Sequence, residues 1–355
     1  MIIEKQLPIV ALIYDFDGTL APGNMQEYDF LKEIGITDKN QFWTANSQLS
    51  KEQDASEILS YMRLMIEKSD NPDNPRPITR NTFKKYGGSV RLFKGVEEWF
   101  DLTKQLGEEM DVQIEHYINS SGLQEMIEGT KIGKYFKHIY ASRFMYDQNG
   151  RACWPAVAVD FTGKTQFLYM INKGIEPISD NKHINEHMSD DNKRIPFTHM
   201  IYFGDGATDI PCMKLLRQQG GYAIAIYEED NKKQVDNAVD LVERNIINFA
   251  CNADYSKDST IYRTVKTIIK QIKLLDDHMK AQKDFESLQE QNHTKTKNIK
   301  KAQQAGNGTN TSATESGDKR NASQREKKQY SSAKVPRVRF NMNNELIWLL
   351  LNGEL

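Results

Sequence analysis

An unbroken apolar run, Ile9 to Tyr14, ends abruptly in Asp15-Phe16-Asp17-Gly18-Thr19, and this junction constrains the fold more than any other stretch. Six apolar residues without alternation have no face to give to water, so the run reads as a strand buried on both sides. Such strands belong to parallel sheets covered by helices on each face. The strand empties into a turning loop where two carboxylates flank one residue, so both can face the same space above the strand end. Gly18 lets the chain turn and leaves room for a ligand. Thr19 is expected to tie the loop with its hydroxyl.

The remaining patterns agree with that sheet. From Glu27 to about Lys85 the apolar spacing is helical, with one stripe at Phe30, Leu31 and Ile34 and another at Ile58, Leu59, Met62, Met65 and Ile66. The cluster SDNPDNPRP between them and Lys85 is a loop. A helix over Val96–Leu106 and a strand over Val112–Ile118 lead to Asn119-Ser120-Ser121-Gly122. A helix from Leu123, a short strand at His138–Ala141 and a hairpin over Arg143–Ala158, turning at Asp147-Gln148-Asn149-Gly150, follow. Then come a helix over Lys164–Asn172, a strand over His199–Phe203 closing on GDGATD, a helix over Ile210–Arg217, a strand over Tyr222–Ile226 and a short terminal strand over Val239–Val242. Strands alternating with helices and emptying into loops at one end describe an α/β, doubly wound, mainly parallel Rossmann-like sheet.

The expected organisation is a Rossmann-like core over 1–21 and 91–255, interrupted by a helical cap over 22–90. A helical extension over 256–291, a polar basic linker over 292–335 and a short apolar segment over 336–355 complete the chain. The linker, rich in Lys, Gln, Asn, Ser, Thr and Gly, buries too little apolar surface to offset its backbone entropy and is expected to be disordered. Between Asp277 and Phe340 there are 14 Lys and Arg against 7 Asp and Glu, although the whole chain carries a net charge of −2. Basic residues interleaved with acids among few aromatics describe a solvated spacer that could engage a protein partner, and nucleic acid is not expected as a ligand. Three dispersed cysteines, no long apolar run and no signal-like start predict a protein of the cytoplasm without membrane attachment.

Two carboxylates about 5 Å apart repel by roughly 3 kcal/mol at an effective dielectric near 20, so they share a proton or recruit a cation. Asp205 and Asp209, at the end of another strand, offer further hard oxygen ligands, a donor set that suits Mg²⁺.

In order along the chain, DFDGT, a strand ending in Ser-Ser-Gly, the lone Lys164 and GDGATD resemble the four motifs of the haloacid dehalogenase superfamily. The resemblance runs from about Ile9 to Val242. The helical segment after the first motif is similar to a C1-type cap, and ASRFMYDQNG, GKTQFL and GDGATD resemble the phosphoserine phosphatase-like branch. The resemblance implies that Asp15 attacks phosphorus and becomes an aspartyl-phosphate, and that Asp17 is the general acid and then the base. It implies that Ser120, with Ser121 and Gly122 beside it, binds the phosphoryl oxygens, and that Lys164 neutralises charge on the nucleophile and the transferring group. It implies Mg²⁺ held by Asp15, the Asp17 backbone carbonyl and Asp205, with Asp209 in support. An acid at position 17, where dehalogenation calls for an apolar residue, favours phosphoryl transfer.

The expected activity is therefore hydrolysis of a small phosphorylated metabolite, with transfer to another acceptor or a silent binding protein of the same fold as alternatives. Thr208 replaces an Asn common before the last motif acid, and APGNMQEYDF lacks the glutamate signature of the amino-acid branch, so the substrate stays open. Arg63 aligns loosely with an arginine that binds substrate carboxylate in that branch, against the simpler reading of a surface arginine. His116, His138 and His199 read as structural or exposed, and Cys153 and Cys212 as small apolar residues. Trp43, Phe83, Tyr86 and Phe93 read as cap packing with room for one substrate contact.

Overall fold

Strand β1 (Ile9–Tyr14) runs through the middle of the sheet, paired in parallel with β2 (Gln113–Leu123) on one side and β5 (Met200–Gly204) on the other. The computed structural model describes residues 7–70, 72–73 and 75–306. Val10, Leu12 and Tyr14 pack into the core on one face of the sheet, and Ala11 and Ile13 into the core on the other. This two-sided burial is why the run shows no alternation.

Between β1 and β2 come α1 (Phe30–Glu33), α2 (Lys39–Gln53), α3 (Glu57–Ser69), α4 (Arg80–Gly87) and α5 (Val96–Glu109). Side chains cap the starts of three of them. Asp38 accepts from the backbone of Asn40 and Gln41, Ser56 from that of Ile58, and Thr79 and Thr82 form a reciprocal box. β2 leads through α6 (Gln124–Gly129) to β3 (His138–Tyr146) and β4 (Ala152–Val157). Next are α7 (Thr165–Lys173), α8 (Asn181–Asn185), β5, α9 (Ile210–Gln218), β6 (Tyr222–Tyr227), α10 (Lys232–Glu243), β7 (Phe249–Asn252) and α11 (Thr260–Gly306).

The sheet order is β4-β3-β2-β1-β5-β6-β7, parallel throughout except for β4, which runs antiparallel to β3. Strand order reverses between β1 and β5, and in open α/β sheets the crevice at such a reversal, at the carboxyl ends of the strands, is where ligands bind. α5 and the first turns of α11 cover one face, with Trp99, Phe100, Val265 and Ile269 in its core. α7, α9 and α10 cover the other with Phe167, Leu168, Met213, Leu216 and Leu241.

Three boundaries depart from the sequence reading. β2 continues through Ser120-Ser121-Gly122 to Leu123, with a register shift against β3 between Ser120 and Leu123. The short strand at His138 and the first arm of the hairpin are one strand, β3. The expected terminal strand at Val239–Val242 is part of helix α10, and the last strand is β7. The valines misled because they face water: Val239 is 51% and Val242 44% exposed, whereas Ala238 and Leu241, three apart, are the residues buried in that segment.

The chain divides into two units, 1–289 and 290–355. In the first, Ile261, Val265, Ile268, Ile269 and Ile272 of α11 are buried at helical spacing. In the second, 290–306 is helical, so helix extends past the 291 boundary drawn from composition. The rest of the expected linker, 307–335, and the apolar segment 336–355 lie outside the described residues. No helix among the described residues is long and apolar enough to cross a membrane.

The carboxyl end of β1 is braced by a polar ring inside the core. Trp99 Nε1–H donates to the Tyr14 hydroxyl (2.8 Å), which is 3.1 Å from His116 Nδ1. His116 Nε2 is 3.3 Å from Thr103 Oγ1, whose hydroxyl donates to the Trp99 carbonyl (2.9 Å). A neutral imidazole that accepts at Nδ1 and donates at Nε2 gives each hydroxyl in this circuit both a donor and an acceptor. Burial pushes the His116 imidazole down to about 3. Its folded value lies below the unfolded one, near 6.5, so the unfolded chain takes the proton first and stability falls as pH drops through that window. By pH 4 the loss is about 3 kcal/mol from this residue. Urea unfolding at pH 7 and pH 4 measures it: His116→Gln is expected to flatten the pH slope by that amount, and equal slopes would show that the ring tolerates an imidazolium.

Candidate active site

The loop after β1 is closed by its backbone. Asp15 N–H donates to the Phe203 carbonyl of β5 (2.8 Å), Gly18 N–H to that of Ala21 (2.7 Å) and Leu20 N–H to that of Phe16 (2.9 Å). Thr19 contributes through its carbonyl, which accepts from the Tyr255 hydroxyl (2.7 Å). Its own buried hydroxyl makes no hydrogen bond, so the expected side-chain tie is replaced by these backbone contacts. Gly18 has φ +74°, and a Cβ there would lie 2.1 Å from Asp205 Oδ2. Only glycine allows the turn and the approach of the β5 acid together.

This loop sends its two acids to different neighbours. Asp15, 5% exposed, accepts from Phe16 N–H (2.8 Å) and lies 3.2 Å from Lys164 Nζ. Asp17 turns towards the segment after the loop, where its Oδ1 accepts from Met25 N–H (2.8 Å). Lys164 is fully buried, and its Nζ is 2.7 Å from Asp209 Oδ1, which also accepts from the Tyr202 hydroxyl (2.7 Å). Asn119, one residue before Ser120, fixes the Lys164 backbone by donating to its carbonyl (3.0 Å). Ser120 Oγ accepts from Gly122 N–H (3.0 Å), shaping the bulge at the end of β2.

One carboxylate oxygen from each of Asp15, Asp205 and Asp209 lies within 4.8 Å of the other two. Three hard oxygen donors at that spacing could hold a divalent cation. The electrostatics call for one. Burial, followed by repulsion from Asp15, pushes the Asp17 carboxyl well above its ordinary range. Burial and then Asp209 and Asp15 do the same to Asp205. Asp15 is pushed up to about 6 by burial, with Lys164 pulling the other way. For Lys164 burial works to lower the value, but Asp15 and Asp209 outweigh it and hold the ammonium charged. A single buried ammonium therefore faces several acids removed from water, and positive charge added among Asp15, Asp205 and Asp209 would favour the ionised forms of Asp15 and Asp205, while the Asp17 side chain lies outside that group.

Asp15, Asp17, Asp205, Ser120, Ser121 and Gly122 line one cavity of about 370 Å³. Lys164 and Asp209 sit beneath, in contact with Asp15 and with each other. Of the four acids proposed for metal, the Asp17 side chain stands outside the three-carboxylate group. Arg63 is the residue that the structure does not bring in. It is exposed on α3, 2.7 Å from Glu67, whereas the buried face of that helix carries Ser60, Tyr61, Met62 and Met65. Two positions from Tyr61 on a helix is about 200° of rotation, which turns Arg63 away from the cavity side.

Sequence reasoning missed Gln26, Asn46, Glu57 and Tyr61, which line the same cavity, and Trp43 of the aromatic set lines it too. Asn46 lies four residues after Phe42, on the buried side of α2. Phe83, in contrast, packs against Phe30 and Phe144 in the core.

A family model described as haloacid dehalogenase-like hydrolase matches residues 12–214, more than half of the chain. A Borreliella burgdorferi relative, itself an uncharacterized protein, is 28% identical over 291 residues, covering 72% of this chain and 95% of its own. Among solved structures, a HAD-family hydrolase of Salmonella enterica serovar Typhi aligns at 17% identity and a TM-score of 0.46, over 70% of this chain and 69% of that one. A phosphoserine phosphohydrolase-like protein of Francisella tularensis aligns at 16% identity and a TM-score of 0.40, over 72% of this chain and 98% of that one.

Proposed function

The chain belongs to the haloacid dehalogenase-like hydrolase family, and from that premise we propose that it is a Mg²⁺-dependent phosphatase cleaving a small phosphomonoester through an aspartyl-phosphate. The observation that carries this reading is the division between the two loop acids: Asp15 rests against a buried ammonium, and Asp17 is turned away from it and driven towards its protonated form.

In the proposed reaction an Asp15 carboxylate oxygen attacks phosphorus as the ester P–O bond breaks, and the Asp17 proton passes to the departing alkoxide. Asp17, now a carboxylate, takes a proton from the water that attacks the acyl phosphate. Phosphate leaves and Asp15 is regenerated. Lys164 keeps its proton throughout and balances negative charge on Asp15 and the transferring group. The hydroxyl of Ser120 and the amides around Gly122 face the phosphoryl oxygens. Asp15 and Asp205, with Asp209 behind them, would hold Mg²⁺, which supplies further positive charge to the phosphoryl group when bound.

The test is phosphate release from p-nitrophenyl and alkyl phosphates, with Mg²⁺ and with a chelator. Turnover should vanish with chelation and return on adding Mg²⁺; activity indifferent to both treatments would end the metal part of the reading. The role of Asp17 has its own signature. Asp17→Asn should slow alkyl ester hydrolysis by roughly 10²–10³-fold, because an alkoxide leaves poorly without a proton. The p-nitrophenyl ester, whose leaving group departs unprotonated, should suffer less than about tenfold in its first step. Equal losses on both esters would remove Asp17 from the proton transfer.

A further inference from the structure

The part of the cavity built by the segment before α1 and by α2 and α3 presents Gln26, Trp43, Asn46, Glu57 and Tyr61. Two of the donors there are already engaged: the Tyr61 hydroxyl donates to the Ser121 carbonyl (2.9 Å), and Trp43 Nε1–H to Glu27 Oε1 (2.8 Å). Three buried side-chain atoms of the lining, Gln26 Oε1, Asn46 Oδ1 and Ser121 Oγ, carry no hydrogen bond, and Gln26 and Asn46 are only 3% exposed. Buried polar atoms are rarely left so, and their lack of partners inside a cavity points to a ligand that supplies donors. Glu57 adds a carboxylate at the mouth, the Trp43 ring stands edge-on to Tyr61 at 5.9 Å, and no Lys or Arg is among the described residues lining the cavity.

We infer that the substrate is the phosphate ester of a primary amino alcohol, its ammonium received by Gln26 Oε1, Asn46 Oδ1 and Glu57 beside the Trp43 ring. The inference rests on the phosphatase reading and names the leaving group. A carboxylate-bearing leaving group would meet Glu57 with no Lys or Arg among the described lining residues to pair with it. A neutral hydroxyl could satisfy the amide oxygens but would leave Glu57 without a counter-charge. A quaternary ammonium would suit Trp43 and Glu57 but has no N–H for the two amide oxygens. A primary ammonium brings charge and three donors together. Hydrolysis then releases the amino alcohol, its oxygen protonated by Asp17, and inorganic phosphate.

A size-matched series decides it. With Mg²⁺ present, kcat/KM is measured for 2-aminoethyl phosphate, 2-hydroxyethyl phosphate, 2-(trimethylammonio)ethyl phosphate and phosphoglycolate, with p-nitrophenyl phosphate as reference. The aminoethyl ester should exceed the hydroxyethyl and trimethylammonio esters by about tenfold and phosphoglycolate by about a hundredfold. Glu57→Gln, at an exposed position where folding is not at stake, should bring the aminoethyl to hydroxyethyl ratio close to one, mainly through KM. Glu57→Lys should move the preference towards phosphoglycolate. A flat or anion-favouring series in an enzyme that turns over p-nitrophenyl phosphate overturns the inference and leaves the phosphatase reading standing, as does a ratio untouched by Glu57→Gln. Failure on every ester, the p-nitrophenyl one included, overturns both.

Discussion

Asp15→Asn is expected to abolish ester hydrolysis, by on the order of 10⁴-fold or more in kcat, while making the metal-free protein more stable. The first half follows from chemistry: an amide oxygen cannot displace an alkoxide and form the acyl phosphate, and no neighbouring acid occupies the same position between Lys164 and the loop backbone. The second half follows from the site's electrostatics. The Asp15 carboxyl is raised to about 6, mainly by burial. Because the folded value lies above the unfolded one, near 3.9, the charged form is penalised in the folded protein. The penalty grows as pH rises from about 4 to about 6 and is fully present at pH 7.5. Asn keeps the acceptor for Phe16 N–H and removes the charge, so a gain on the order of 1–3 kcal/mol in chelator is expected. Denaturant unfolding at pH 7.5 and pH 4.5 measures it, and the gain should shrink at the lower pH. Wild-type turnover in Asp15→Asn would end the nucleophile assignment. A loss of stability at pH 7.5 would mean that the Lys164 ion pair outweighs the cost of burying the acid.

How far the sequence reached can be argued from single residues. Ile9–Tyr14 was legible because both faces of β1 are covered, so burial leaves an unbroken apolar run that no other arrangement explains. The chemistry at the strand ends was legible for a related reason: Asp15 and Asp205 each sit where a buried strand stops, and Ser120 lies at the register shift near the end of β2. Val239 and Val242 misled because β-branched residues on the wet face of a helix look like a short strand until packing decides. Gln26 and Asn46 escaped for the opposite reason. They are polar residues buried by contacts between segments far apart in sequence, and α2 has so weak an apolar stripe, with Phe42 and Asn46 its only buried residues, that periodicity could not tell its inner face from its outer one. Arg63 was placed by alignment of a motif, which fixes position along the chain but not the side of the helix that faces the cavity.

Lys164→Met should cost both activity and stability, and the two losses have one cause. Lys164 is fully buried, 3.2 Å from Asp15 and 2.7 Å from Asp209. Removing one partner of a buried charge network leaves the others uncompensated, at about 3–5 kcal/mol. In a domain of this size that lowers the melting temperature by roughly 10 °C at pH 7.5 in chelator. The ammonium is held charged by the two acids, so across pH 5–8 it is protonated in the folded and the unfolded chain alike. The pH dependence of the difference must then come from Asp15. As pH falls below about 6 that carboxyl protonates, the pair loses one of its charges, and the gap between wild type and variant narrows. The same argument sets the catalytic loss. Without Lys164 the strongest influence holding the Asp15 value down is lost, so less of the nucleophile is ionised at neutral pH, and the transferring group loses a fixed positive charge. A fall of roughly 10²–10⁴-fold in kcat is expected, with the optimum moved to higher pH. Saturating Mg²⁺ should raise the variant's melting temperature at least as much as that of the wild type, because a divalent ion among Asp15, Asp205 and Asp209 no longer meets a buried ammonium beside it. A Lys164→Met protein with wild-type melting temperature and turnover in the same buffers would show that the three acids need no cation in the folded chain, and the phosphoryl-transfer reading would lose its electrostatic basis.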